Sequence, residues 1–289
     1  MKAVLKHELS SYFTSLSGYV FGAFLLIFTG IYVMIYHISL NSRVTNFEYV
    51  VTSISFVFLI IVPIITMRML AEERKQKTDQ LLYSLPIGIP KIVIGKFLAL
   101  IIVFFIPLVI IGIYPLILSK FGDVYFPGAY NALFAFFLLG MSLLSIGMFV
   151  SSICESQMVA AGVCFVVMLI NYFIAALATY IGVSSIGSFA GLTVFVVVFG
   201  LLIRHMTGNN LTAFTVGAVI EAGLAAVYLL KPEWLVGFLP RFMSKLSLFE
   251  RFYVFIDGVF DIAGVVYFIS VTLVFIYLTI QSLEKRRWS

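Results

Sequence analysis

The sequence predicts an all-α integral membrane protein of about eight transmembrane segments, and three observations predict it. Hydrophobic residues make up 62% of the 289 positions and charged residues 11%, where a soluble domain carries about a quarter of its residues as charges; the mean hydropathy is +1.14. The apolar residues come in runs of roughly 20, the length a helix needs to cross the hydrocarbon core. The charges gather between those runs, more on one side than the other. The formal net charge of +5 therefore reads as orienting charge that meets anionic lipid head groups, and no nucleic-acid role is expected. The chain reads as a single transmembrane domain over 1–289.

At the N-terminus, Met1, Val4, Leu5, Leu9, Tyr12, Phe13 and Leu16 recur at helical spacing, with Lys2, Lys6, Glu8, Ser10 and Ser11 mostly on the other face. That pattern predicts an amphipathic helix over 1–16 that lies in the interface and turns into the first span. No small-x-small cleavage site accompanies the first apolar run, so it reads as a retained span. Spans are expected at about 17–38, 54–70, 92–119 and 130–152, the third bent by Pro107 and Pro115. The stretch 156–203 holds no charge and is too long for one crossing. Its GVSSIGS turn, 182–188, divides it into spans at 158–180 and 187–204. A run at 211–231 contains one acid, Glu221, and 260–283 supplies the last span. The 187–204 and 211–231 pair could be re-entrant or interfacial, which preserves the parity and leaves six full spans. Between that pair and the last span, 232–259 is expected to be an extracytoplasmic segment. Within it Leu239–Gly258 reads as a second interfacial helix or a re-entrant cap.

An even number of spans puts both termini on one side. The termini, the 68–96 loop and the 204–210 loop hold twelve of the 18 Lys and Arg residues, against six on the other side. Lys/Arg excess marks the cytoplasmic face, so both termini are expected inside, in the cell (inner or plasma) membrane of a bacterium.

The segment AEERKQKTDQLLYSLPIG, 71–88, concentrates charge between two apolar runs. Glu73 with Lys77 and Lys75 with Asp79 are i,i+4 pairs of opposite sign. Leu81, Leu82 and Leu85 form an apolar edge, Pro86 stops a helix, and Pro90 suits the first turn of the next. The residues alone leave two readings open. One is a solvated loop anchored by positive charge. The other is a helix ordered by docking, because a short charged helix is costly to order without a partner.

Arg68-Met-Leu-Ala-Glu72-Glu73-Arg74-Lys75, Thr78-Asp79-Gln80-Leu81-Leu82, Leu85-Pro86-Ile87 and Ile92-Val93-Ile94-Gly95-Lys96-Phe97 together resemble the first cytoplasmic loop of type-2 ABC exporter permeases. The branch they resemble contains the gliding-motility permease and the permease of nitrous-oxide-reductase maturation. Ser151–Ala160 (SSICESQMVA) resembles that branch's short loop after the fourth span, and Phe249–Asp261 with the Leu283–Trp288 ending resembles its C-terminal signature. The resemblance covers 1–180 and 239–289 in order, while 181–238 carries two apolar segments that the usual six-span pattern lacks. It implies a six-span exporter core with an elbow helix and a coupling helix within 70–91. Glu72, Glu73, Arg74, Thr78, Asp79, Leu81, Leu82 and Glu155 would then face a separate cytosolic ATPase subunit, present as a dimer. Phe252, Gly258 and Asp261 fall in the outer segment before the last span. A second permease copy, or a related permease, would complete the assembly. ATP and Mg would be bound by the ATPase, and no cofactor by this chain. Gly88–Lys96 ends in Gly-Lys with the wrong spacing for a phosphate-binding loop.

Glu221 is the acid placed inside a span, where a carboxylate is costly; with Asn171 it forms a possible translocation site or an ordinary packing contact. Glu221 also permits a different reading, an ion- or proton-coupled secondary transporter. A third is a non-transporting membrane anchor or sensor. Cys154 and Cys164 lack metal-ligand or redox spacing. No HExxH, no G-x-S-x-G and no paired membrane aspartates occur, so an enzyme is not expected.

Overall fold

The computed structural model describes residues 2–39, 46–75, 88–180, 184–207 and 209–288. Among them every regular element is helical: α1 Lys2–Thr14, α2 Leu16–Ser39, α3 Phe47–Ser55, α4 Phe58–Thr66, α5 Ala71–Lys75, α6 Ile89–Ile111, α7 Tyr114–Leu118, α8 Phe126–Ile153, α9 Gln157–Tyr180, α10 Ser185–Thr207, α11 Asn210–Leu230, a 3-10 turn Pro232–Leu235, α12 Phe238–Leu246, α13 Leu248–Ile256 and α14 Ile262–Trp288. Six stretches of the described residues are long and apolar enough to cross a membrane: Leu16–Tyr36, Ile89–Leu118, Phe126–Ile153, Gln157–Tyr180, Asn210–Leu230 and Ile262–Arg286.

Two expected spans take a different form. The second, placed at 54–70, begins earlier, at Phe47, and is a pair of helices bent by 52° between Ser55 and Phe58. At the bend the backbone tightens to i,i+3 bonds, Val57 N–H to the Ile54 carbonyl and Ile60 N–H to that of Val57. The hydroxyls of Thr52 and Ser55 also donate to the carbonyls of Glu48 and Thr52, which bends helices. The sixth, at 187–204, lies in α10, whose apolar part, Ser185–Leu201, is shorter than the six.

The chain divides into two compact units, Met1–Leu169 with Arg251–Ser289, and Ile170–Glu250. In the first, α8 is the axis, because small residues let its neighbours approach. A Cβ on Gly140 would stand 2.4 Å from the Phe104 ring, and one on Gly147 would stand 2.5 Å from the Thr66 hydroxyl. Beside Gly140, the rings of Phe58 and Phe136 stack at 4.5 Å, with Phe104 and Phe252 against them. Ser142 on α8 donates to the Phe268 carbonyl of α14 at 3.0 Å.

In the second unit, α10 and α11 form an antiparallel hairpin. Leu192, Leu235, Leu239 and Met243 make its core with Ile174 and Ala178. The single interfacial helix expected over Leu239–Gly258 is two helices broken at Ser247. Asn171 explains the break: its amide oxygen accepts from Leu248 N–H at 3.2 Å, and Ser247 Oγ accepts from Glu250 N–H. Side chains that accept from the first N–H groups in this way stabilise a new helix start at Leu248.

The substitution Gly140→Ala should lower the thermal midpoint of the purified protein, by about 1–3 kcal/mol of overpacking. Gly162→Ala, where a Cβ meets nothing within 4 Å, should not. Reaction of a fluorogenic thiol dye with the buried Cys164 reports the unfolding.

Candidate functional site at the charged end of the bundle

Helix α5 follows the turn 67–70 and carries the first charges of the 70–91 segment. A helix start leaves backbone N–H groups without intrahelical partners. Here a hydroxyl from another helix supplies them: Leu70 N–H and Ala71 N–H both donate to Ser151 Oγ, each at 3.2 Å. The same relation runs backwards at the end of α8. The Arg74 guanidinium donates to the carbonyls of Cys154, at 2.7 Å, and of Ser152. From α14, Ser282 donates to the Ser152 carbonyl and Arg286 to that of Ile153, at 3.0 Å. Two guanidinium groups thus meet the negative end of one helix, where cations are favoured.

On the inner side of α5 lies Lys96, 1% exposed. Its ammonium donates to Glu8 Oε1 and to Glu73 Oε1, both at 2.6 Å, and to the Met69 carbonyl at 3.4 Å. Those acceptors match the three N–H bonds a lysine carries. One buried cation therefore joins α1, α5 and α6. Nearby, the Tyr12 hydroxyl donates to the Ile65 carbonyl, and Arg68 pairs with Glu72 at 2.8 Å along the chain. Burial holds the Glu73 carboxyl above its ordinary range, with Lys96 pulling the other way. Burial, with Glu8 beside it, pushes the Tyr12 phenol well up. The Cys154 thiol is also raised by burial, against the pull of Arg74 and Arg286.

The residues expected at this end separate into three groups. Glu73 and Arg74 turn into the bundle and hold it together. Glu72 is half-buried beside Arg68, and Glu155, after α8, is exposed. Thr78, Asp79, Leu81 and Leu82 lie outside the described residues. The polar face expected of the first helix is corrected at one position: Glu8 is buried in line with Val4 and Tyr12, because Lys96 draws it inward. Glu8, Lys96 and Ser151 were not singled out by the sequence. The spacing 4, 8, 12 was the available signal for Glu8, and a lysine inside an apolar run that starts at Ile89 was the signal for Lys96.

Elsewhere the expected residues serve the fold. Phe252 is fully buried. Gly258 takes φ +80° at the turn after α13, a conformation that suits glycine. Asp261 caps α14 by accepting from Ala263 N–H and Gly264 N–H, both at 3.0 Å. Asn171 caps α13 as described. Glu221 accepts from the Thr193 hydroxyl at 2.8 Å, and its other oxygen is buried and meets no partner among the described residues. No three His, Cys, Asp or Glu side chains among the described residues gather as metal ligands.

Ser151→Ala should free the amides of Leu70 and Ala71. Losing about 1 kcal/mol of hydrogen bonding raises their hydrogen exchange roughly fivefold, measurable on a peptide covering 67–75; exchange equal to wild type would mean the hydroxyl holds nothing.

No curated protein matches the chain. The sequence model of the ABC-2 family transporter proteins matches residues 2–288. With an all-helical architecture, several membrane-length apolar helices and a charged end tied into the bundle, the chain belongs to the ABC-2 transporter family and is a membrane permease component of an ABC transporter.

Proposed function

We propose that this permease is the membrane half of an ATP-driven exporter, of the branch that includes the gliding-motility and nitrous-oxide-reductase-maturation permeases. A separate cytosolic ATPase dimer drives it from the side that carries both termini. The 70–91 segment is the coupling element, and Glu155, in the short loop after α8, completes the docking surface. Two permease copies, or this chain and a related one, form the path between them in a bacterial inner membrane. ATP and Mg sit on the ATPase, and this chain contributes the levers.

The observation that carries the reading is the reciprocal fastening of α5 to α8. Ser151 holds the start of α5 while Arg74 holds the end of α8. A push on the coupling segment then acts at once on α8, and through Arg286 and Ser282 on α14. Rigid-body tilting of such helices opens and closes a path. Thr78, Asp79, Leu81 and Leu82 supply the ATPase-facing part.

One observation favours a second reading. The buried oxygen of Glu221 that meets no partner among the described residues suits a group that takes up and releases a cation, as in an ion-coupled transporter. The two readings part experimentally. Replacing 76–87 with a Gly-Ser linker and Glu155 with Lys should abolish co-purification of an ATPase from the native host, while the permease itself still purifies. Glu221→Gln should leave both co-purification and ATP hydrolysis by the complex unchanged. A permease that purifies alone overturns the exporter reading, and an ATPase retained by the linker variant overturns the coupling role of 70–91 and Glu155.

A further inference from the structure

Lys96 lies in α6, inside an apolar run, yet its ammonium is closed off between two helices that are distant in sequence. Glu8 stands 88 positions away and Glu73 23 positions away. A surface lysine that anchors a span keeps its head group in water; this one is 1% exposed, and its two carboxylate partners are mostly buried, at 11% and 23% exposed. Removing a charge from water is expensive unless geometry and hydrogen bonding compensate, and such an arrangement holds its three elements in one register.

We propose that Lys96 is a positioning residue that makes the N-terminal helix α1 part of the coupling machinery, by locking α1, α5 and α6 into one body around its ammonium. The proposal rests on the exporter reading for what moves this body, and on the ion pairs alone for its existence. Motion imposed on the coupling segment is carried to α6 directly and to α1 through Glu8. Because α1 runs into α2 across a single residue, Ser15, with Gly18 in close contact with the Tyr12 carbonyl, α2 follows. One cation thus passes a displacement of α5 to two membrane helices, α6 and α2.

The test uses the permease–ATPase complex in phosphatidylethanolamine–phosphatidylglycerol nanodiscs, with Cys154 and Cys164 replaced. Spin labels go on the exposed positions Ser11 and Lys75, and distances are read without nucleotide and in the ATP–vanadate state. With Lys96 intact the distribution should hold one peak, unchanged by nucleotide. Lys96→Met should broaden it and add a second distance on ATP. That variant strands two carboxylates and loses stability, so Glu8→Gln/Glu73→Gln/Lys96→Met is measured beside it. The triple variant should recover the thermal midpoint and still show the loosened distribution, which a merely stabilising role would not produce. A wild-type distribution in the triple variant, in both states, overturns the proposal. If no ATPase accompanies the permease, the exporter reading fails separately. The nucleotide-free distances in the permease alone then decide the Lys96 tie: broadening in the triple variant sustains it, and an unchanged peak overturns it.

Discussion

A lysine ammonium taken out of water must be matched by anions and acceptors, and the charged end of this permease is organised around that demand. Lys96 spends its three N–H bonds on Glu8, Glu73 and the Met69 carbonyl. The penalty for desolvating each ion is several kcal/mol, and removing one partner of a buried pair costs about 3–5 kcal/mol. The contact therefore contributes little net stability relative to apolar packing. Its consequence is geometric: three helices from separate parts of the sequence meet in one arrangement, since any other strands a charge.

The second fixture follows from helix ends. The last carbonyls of α8 and the first amides of α5 are groups that helical bonding leaves open. Each element supplies the other: Ser151 takes amides of α5 and Arg74 takes carbonyls of α8. Arg286 and Ser282 bring in α14. The small residues that line α8, Gly140 and Gly147 among them, let this helix sit deep enough for its end to be reached from both sides. Packing along the span and hydrogen bonding at its end are thus two results of one sequence choice.

Much of this was readable from the residues. Apolar runs of about 20 gave the membrane class and most of the long helices, and the ordered motifs gave the family. The charged segment after Met69 was recognised as distinct. The cluster inside it was not, because Glu73 reads as the first half of an i,i+4 pair with Lys77, and Lys96 as one of the positive charges of the 68–96 loop. Their meeting with Glu8 is a long-range contact, and no local pattern encodes it. The bend at Phe56–Val57 escaped for a related reason: Glu48 and Ser53 interrupt the apolar run, so the span was begun at Ile54, although Glu48 is buried. The break at Ser247 had a local signal, the Ser247-x-x-Glu250 pattern of a helix start, in which Ser247 Oγ accepts from Glu250 N–H; the added hold of Asn171, 76 positions earlier, has none. Glu221 stands out in the sequence as an acid inside an apolar run, and the Thr193 hydroxyl that donates to one of its oxygens comes from another helix, which no local pattern shows.

The coupling of these helices into one moving body is tested most directly by two electron cryomicroscopy structures of the permease with its ATPase, one without nucleotide and one with ATP bound. Superposed on α6, they should show Lys96 Nζ within ion-pair distance of both Glu8 and Glu73 in each state, with α1 and α5 in the same place relative to α6. A structure in which ATP separates Glu73 from Lys96 and moves α5 while α1 stays with α6 would contradict it.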